Sequence, residues 1–300
     1  MRRPRPFWRF LLATVVVSLI NVLVFVPLRP GPALDARSLA FSAVALALTL
    51  TTFSVMSRRL DRATRPLAYI GLPASVPRGR LAAIGLLYGA LMVTFALLSV
   101  AAIGGVTFQV QFTMSILATV VVQLAALAFA AMHEEVAFRG YPFHRLIESI
   151  GTVPAVLCYA AMFVLPHLGN PGVGPGAMIN TAAAGAFFAT SYLLTRSLWL
   201  GWGIHAGWNA ALSVMYGLNV SGVDAPGIVN GSMSGPGWLT GGAYGVEAGI
   251  SGTVALAIGF AGLFPLVRRL LPPTAVAPRV ETYVSEEAPM ADNSAIGSRS

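Results

Sequence analysis

Long apolar runs divide the chain into segments of about 20 residues, and short polar stretches separate them. A helix needs about 20 apolar residues to cross the hydrocarbon core of a bilayer. Each run is therefore a candidate transmembrane span, and together they predict an all-α, polytopic transmembrane helical bundle. The pattern predicts about eight spans, at 8–28, 36–56, 81–103, 113–138, 152–167, 176–195, 198–217 and 247–267.

Two stretches interrupt this apolar pattern. Residues 218–246 are rich in Gly, Pro and Ser, which disfavour a helix and predict an exterior loop. From about Pro272 the chain mixes Pro, Ser, Ala and acids without periodicity, which predicts a disordered cytoplasmic tail. The expected parts are N-terminal spans over 1–110, a core over 111–217, an exterior loop with the last span over 218–270, and the tail over 271–300.

Composition and charge agree with a lipid environment. The 300 residues are 56% hydrophobic and 10% charged, whereas soluble domains carry about 25% charged residues. The net charge of +8 comes largely from arginines in short segments beside apolar runs, so it gives no reason to expect a nucleic-acid partner. Arginines concentrate at 2–9, 58–80 and 268–269. By the positive-inside rule, we expect a multi-pass protein of the cell membrane with both termini cytoplasmic.

The fourth predicted span carries adjacent acids. Charged side chains inside spans are rare because they are costly, so their presence needs a reason. Arg139 stands four residues after Glu135, a spacing that places the two on one helical face and lets them pair. Glu134 points about 100° away from Glu135. Glu134 is therefore left free to act as a general base.

Two further spans add polar side chains of the kind that a hydrolase uses. The fifth ends with Phe163 and His167, four residues apart, and Pro166 loosens the backbone next to the imidazole. The seventh places His205 and Asn209 on one helical face. The arginine pattern puts Glu134 towards the cytoplasm and His167 towards the other side. If these groups meet, the fifth span must be short, tilted or re-entrant.

These sequences resemble the motifs of the CPBP family, the CAAX proteases and bacteriocin-processing enzymes, also called the type II CAAX prenyl endopeptidase or Abi family. The resemblance covers roughly residues 110–215 and gives the predicted core its expected catalytic role. The three matching sequences, in family order, are Glu134-Glu135-Val-Ala-Phe-Arg139, Phe163-Val-Leu-Pro-His167 and His205-Ala-Gly-Trp-Asn209.

The resemblance implies an intramembrane endopeptidase and a division of roles. Glu134 would activate the attacking water with help from His167, while His205 and Asn209 would stabilise the oxyanion. Glu135 and Arg139 would support the site as an orienting pair. The implied substrate is a peptide or protein in or at the bilayer: a prenylated CAAX protein in eukaryotic relatives, and a bacteriocin-like peptide, a lipidated peptide or a membrane-bound regulator in a bacterium.

The residues leave the role of a metal open. Glu134, His167 and His205 have the chemistry of a catalytic zinc site with an open position for water. The chain lacks His-Glu-x-x-His, because Ala137 stands where the second histidine is required. Zinc-dependent catalysis and metal-independent glutamate catalysis both remain as hypotheses.

Two other classes of protein compete with a protease. One is a non-catalytic membrane scaffold or bacteriocin-immunity protein that binds a peptide in the same cavity. The other is a small transporter whose buried acids and histidines form a proton relay. A base together with oxyanion donors favours catalysis, because binding alone requires neither. The transporter is disfavoured because the polar residues converge on one place and no repeated half is visible.

Overall fold

The structure is a computed structural model that describes residues 5–28, 34–103, 105–110, 112–225 and 227–271. The tail expected from Pro272, and Arg2 and Arg3 of the first arginine group, lie outside these residues. The described chain is mainly helical. Its helices are α1 Pro6–Leu28, α2 Ala36–Asp61, α3 Pro66–Tyr69, α4 Arg78–Ala101, α5 Met114–Arg139, α6 Tyr141–Ile150, α7 Thr152–Met162, α8 Pro175–Thr195, α9 Leu198–Ala210, α10 Gly237–Thr240 and α11 Ile250–Leu270.

Six helical segments in the described chain are long and apolar enough to cross a membrane, which confirms a polytopic helical bundle. They are Pro6–Leu28, Ala36–Asp61, Arg78–Ala101, Met114–Ile150, Pro175–Thr195 and Ile250–Arg269.

The count differs from the eight spans that we predicted, because the fifth is short and the seventh is interrupted by polar residues. Helix α7 has 11 residues, and α9 has 13 but runs directly into the π-helical turn Ala211–Met215. At about 1.5 Å per residue, α7 alone does not cross a hydrocarbon core of about 30 Å, whereas the continuous helical segment 198–215 carries His205 and Asn209 among its apolar residues. Gly151 with positive φ precedes α7, and the 3₁₀ turn Leu165–His167 follows it. The fifth predicted span is thus short, as the assembly of the candidate site requires.

Close packing against α4 fixes the position of α9. A Cβ atom added at Gly89 would overlap the carbonyl oxygen of Ile204, and one added at Gly207 would overlap the carbonyl oxygen of Leu86. Glycines at both positions let the two backbones touch, as small residues do between membrane helices. This contact fixes the helix that carries His205.

A buried ionic cluster joins α1, α2 and α6. Asp61 Oδ1 accepts hydrogen bonds from Arg9 and, at 2.8 Å, from Arg145 Nη1. Asp61 Oδ2 accepts a bond of 2.6 Å from the Tyr141 hydroxyl. Arg145 also pairs with Glu148 at 2.6 Å. We call Arg9, Asp61, Tyr141 and Arg145 the Asp61 cluster; it ties the N-terminal helices to the helix that follows α5.

Among the described residues, one small sheet joins the segment between α4 and α5 to the segment between α9 and α11. Strand β1, Val106–Val110, pairs antiparallel with β2, Val229–Met233, so that Val106 faces Met233 and Val110 faces Val229. The segment that we predicted as an exterior loop therefore contains a strand, which gains its hydrogen bonds from a distant part of the chain. It also contains α10 and the 3₁₀ turn Val246–Ala248.

Candidate functional site

The last turns of α5 hold a buried ion pair. Arg139 Nη1 donates to Glu135 Oε1 at 3.2 Å, so the expected i,i+4 pair is formed. Arg139 Nη2 donates to the carbonyl oxygen of Gly185 at 3.0 Å. The guanidinium carbon lies 4.4 Å from the Phe163 ring centre and 5.2 Å from that of Phe188. Arg139 is therefore fixed by a carboxylate, a carbonyl and two aromatic faces, and it neutralises Glu135.

Glu134 has a different environment on the same helix. Its side chain is 28% exposed, whereas that of Glu135 is buried. Among the described residues Glu134 forms no ion pair with an arginine, and its Oε2 atom has no hydrogen-bond partner. The nearest nitrogen in an ion-pair contact is His205 Nε2, 3.8 Å from Glu134 Oε2. Two adjacent carboxylates thus differ, because one is neutralised and the other is available to take a proton.

His205 lies between the two carboxylates. Its Nδ1 atom is 3.4 Å from Glu135 Oε1, and its ring stacks on Phe188 with centres 4.7 Å apart and an interplanar angle of 22°. The two histidine–carboxylate distances exceed the usual N–H···O range of about 2.7–3.2 Å. Catalytic hydrogen bonds are often this long before substrate binds. The arrangement brings together Glu134, Glu135 and His205, which stand on α5 and α9.

His167 and Asn209 line a cavity that we call the polar cavity, because several polar side chains stand among its largely apolar walls. His167 Nδ1 donates to the carbonyl oxygen of Phe163 at 2.9 Å, which leaves the lone pair of the neutral ring on Nε2. The cavity has a volume of about 60 Å³, and both residues line it together with His205. In the described chain no hydrogen bond or ion pair joins His167 to Glu134. His205 is therefore the residue common to the carboxylate pair and this cavity.

Glu247 also lines the polar cavity, although the sequence analysis did not include it in the site. Its Oε1 atom accepts a hydrogen bond of 2.9 Å from Trp208 Nε1, and its Oε2 atom accepts one from the Ser221 amide. Burial raises the pKa of Glu247, and these N–H donors and His167 oppose the rise. The sequence signal for Glu247 was an isolated acid at the first position of the last predicted span. Its hydrogen-bond partners can be identified only in the folded structure.

Glu134 borders a second, lateral cavity between α1, α2, α5 and α7. Its volume is about 580 Å³, within the range of about 300–1,000 Å³ that small-molecule pockets show. The lining is mostly apolar and includes Val17, Phe25, Phe41 and Phe138. The Glu134 carboxylate therefore faces a space bounded by membrane-type helices.

The residues proposed for zinc do not form a metal site. Within the described part of the chain, no three His, Cys, Asp or Glu side chains are arranged to hold a metal ion. Glu134 borders the lateral cavity, whereas His167 borders the polar cavity. A catalytic zinc site needs three protein ligands that converge at about 2 Å from one point. The donor set does not fit, and we derive no catalytic step through zinc.

A comparison with protein families matches the segment that contains the candidate site. Residues 115–211 match the family described as Type II CAAX prenyl endopeptidase Rce1-like. The match contains every site residue named from the sequence, whereas Glu247 lies outside it. Searches of curated proteins and of solved structures gave no match. Residues 115–211, about a third of this chain, are therefore similar to the Rce1-like type II CAAX prenyl endopeptidases.

Proposed function

We propose that the chain is an intramembrane endopeptidase in which Glu134 activates water without a metal. The observation that carries the proposal is the inequality of the two carboxylates. Glu135 is paired with Arg139, whereas Glu134 lacks such a pair and borders the lateral cavity. A general base must be able to accept a proton in the transition state, which a carboxylate fixed by a guanidinium does poorly.

The first step is attack of water on a peptide carbonyl. Glu134 takes one proton from the water, the water oxygen bonds to the carbonyl carbon, and the electron pair of the C=O π bond moves to oxygen. His205 and Asn209 donate hydrogen bonds to that oxyanion. Both side chains stand on α9, and the contact of α9 with α4 preorganises them.

The second step breaks the C–N bond. The oxyanion reforms the carbonyl, the C–N electron pair moves to nitrogen, and Glu134 returns its proton to the leaving amine. In this scheme His167 assists from the polar cavity through Nε2, since its Nδ1 atom is bonded to Phe163, and His205, which is common to both groups, connects it to Glu134. Glu135 Oε1 lies 3.4 Å from His205 Nδ1 and would accept its hydrogen as the site closes on the substrate, and Arg139 holds Glu135 in turn.

The substrate is a peptide or protein that reaches the site in or at the bilayer. The similarity of residues 115–211 to the Rce1-like CAAX prenyl endopeptidases supports this class of partner. The lateral cavity supports it independently, because its walls are apolar and Glu134 lies on them.

Cleavage by the purified full-length protein in liposomes tests the proposal. A panel of membrane peptides is incubated with the wild type and with Glu134→Gln, His167→Ala and His205→Ala, each with and without a chelator. We expect Glu134→Gln to reduce kcat by about 10²–10⁴-fold and the chelator to have no effect. Loss of activity on chelation contradicts the metal-independent mechanism. Peptide binding without cleavage in the wild type would favour the scaffold.

A further inference from the structure

Four polar side-chain atoms at the lateral cavity have no hydrogen-bond partner in the described part of the chain. The Thr14 hydroxyl lies close enough to that of Tyr159 to act as a hydrogen-bonding neighbour, yet their contact does not reach the geometry of a hydrogen bond. His133 is 6% exposed and Tyr159 is 1% exposed. The atoms are Thr14 Oγ1, His133 Nε2, Glu134 Oε2 and Tyr159 Oη. Buried polar atoms in native proteins are almost always paired, so this concentration points to a bound group that pairs with them.

A peptide substrate at membrane depth needs such partners. A peptide bond inside a helix is shielded by its own turns, so the segment must unwind before water attacks its carbonyl. Unwinding frees backbone N–H and C=O groups, and hydrocarbon offers them no hydrogen bonds. A protease that works in the bilayer must therefore supply donors and acceptors beside its catalytic base.

We propose that the lateral cavity binds an unwound, uncharged apolar peptide segment, and that Thr14, His133 and Tyr159 hydrogen-bond to its freed backbone groups beside Glu134. The inference rests on the proposed function and names the substrate class of the same site. Among the described lining residues, Glu134 is the only acid and none is an arginine or lysine. An acidic substrate residue therefore finds no arginine or lysine there, a basic one finds only the proposed catalytic base, and apolar residues find matching walls.

The polar atoms favour a peptide over a lipid chain as the occupant. An isoprenyl or acyl chain fills apolar walls but leaves all four polar atoms without partners. A peptide backbone offers both donors and acceptors along its length. Thr14 belongs to α1, which lies outside the family segment 115–211. The first helix is therefore a specificity-determining element of this chain.

Binding to the full-length protein in liposomes tests this assignment. The background is Glu134→Gln, which prevents hydrolysis and keeps a polar group in place. The first probe is a dansyl-labelled peptide of about 20 Leu and Ala residues with a central Gly-Pro pair, long enough to span the bilayer. The second is the same peptide without Gly-Pro, and the third is a dansyl-labelled acyl chain.

Thr14→Val and Tyr159→Phe remove hydroxyl groups with little change in volume. Each should weaken binding of the Gly-Pro peptide by about fivefold to tenfold, the loss expected for one buried hydrogen bond. Acyl-chain binding should not change, which also shows that the variants are folded. Thr51→Val is the matched control, because Thr51 is exposed on α2 and bonds to the carbonyl of Ala47.

Unchanged peptide affinity in both variants overturns the inference, as does an acyl chain that binds more tightly than the Gly-Pro peptide. Cleavage by the protein with Glu134 intact separates this failure from failure of the proposed function. Full kcat/KM in Thr14→Val and Tyr159→Phe leaves the protease standing without this binding site. Selective peptide binding without any cleavage leaves the binding site standing without the protease.

Discussion

Two groups of buried charges in this protein differ in how their carboxylates are satisfied. In the Asp61 cluster both carboxylate oxygens are bonded, one to two arginines and the other to Tyr141. At the candidate site the Oε2 atoms of Glu134 and Glu135 have no hydrogen-bond partner within the described chain. Both groups include arginine at membrane-type helices, so the presence of charge alone does not separate them.

The comparison shows why unpaired atoms are more informative than buried charge. A paired carboxylate already stabilises the fold, and its removal leaves the arginines uncompensated. A carboxylate with an unpaired oxygen is held at a cost, and it can bind water or substrate without first breaking a native contact. The Asp61 cluster is therefore expected to control stability, and the Glu134 site is expected to control activity.

The largest expected effect is the loss of activity in Glu134→Gln. The substitution keeps the shape of the side chain and removes the base, so kcat should fall by about 10²–10⁴-fold. The unfolding temperature in detergent should stay near that of the wild type, because the lost carboxylate has no arginine partner. A variant that unfolds much earlier would place Glu134 with the structural charges and break the comparison.

Asp61→Asn should produce the opposite pattern. Arg9 and Arg145 would lose their shared carboxylate, and breaking a buried pair costs about 3–5 kcal/mol. Thermal and denaturant unfolding measure this loss. Tyr141→Phe is the matched control, since it removes one hydrogen bond to Asp61, worth about 1 kcal/mol, and leaves both ion pairs. Folded Asp61→Asn protein should retain the wild-type kcat, and a large fall in kcat would contradict a purely structural role.

Arg139→Lys should have an intermediate effect on catalysis. Lysine keeps the charge but cannot bond to Glu135 and Gly185 while lying flat on the Phe163 ring. We expect kcat to fall by about tenfold, which corresponds to an increase of about 1.4 kcal/mol in the activation barrier. Arg145→Lys makes the same chemical change in the Asp61 cluster and should lower stability without lowering kcat. Equal kcat losses in the two variants would remove the distinction between the clusters.

The sequence predicted the parts of this arrangement that depend on local geometry. The apolar runs were sufficient to predict the long helices. The four-residue spacing was sufficient to predict the Glu135–Arg139 pair, because helix periodicity places both side chains on one face. Six segments meet the length and apolarity of a span, against about eight predicted, because α7 is short and the segment that begins with α9 carries polar residues.

Contacts between distant segments could not be predicted in this way. Asp61 and Arg145 are 84 positions apart, and Asp61 and Arg9 are 52 apart. Glu247 joins the polar cavity only because Trp208 and Ser221 come to it in the fold. One sequence without packing information shows that these residues are polar, but it does not show which of them meet.

The smallest predicted effect concerns Glu247, which resembles Asp61 in its hydrogen bonding and Glu134 in lacking an arginine partner among the described residues. Both of its oxygens are hydrogen-bonded, as in Asp61, but in the described chain no arginine pairs with it. Burial raises its pKa above the ordinary value of 4.5. The folded state therefore holds a proton that the unfolded state releases. The stability from this group is fully present below the unfolded pKa and is lost as the pH rises through the folded pKa.

The direction of this pH dependence is tested by unfolding the wild type and Glu247→Gln in detergent from about pH 4 upward. The difference between them should change by at most about 1.4 kcal/mol per pH unit, because a single proton is involved. The wild type should lose stability with rising pH relative to the variant. A difference that instead grows in favour of the wild type would mean that the N–H donors of Trp208 and Ser221 outweigh burial. Glu247 would then be a satisfied carboxylate of the Asp61 kind, and the contrast between paired and unpaired oxygens would extend to the polar cavity.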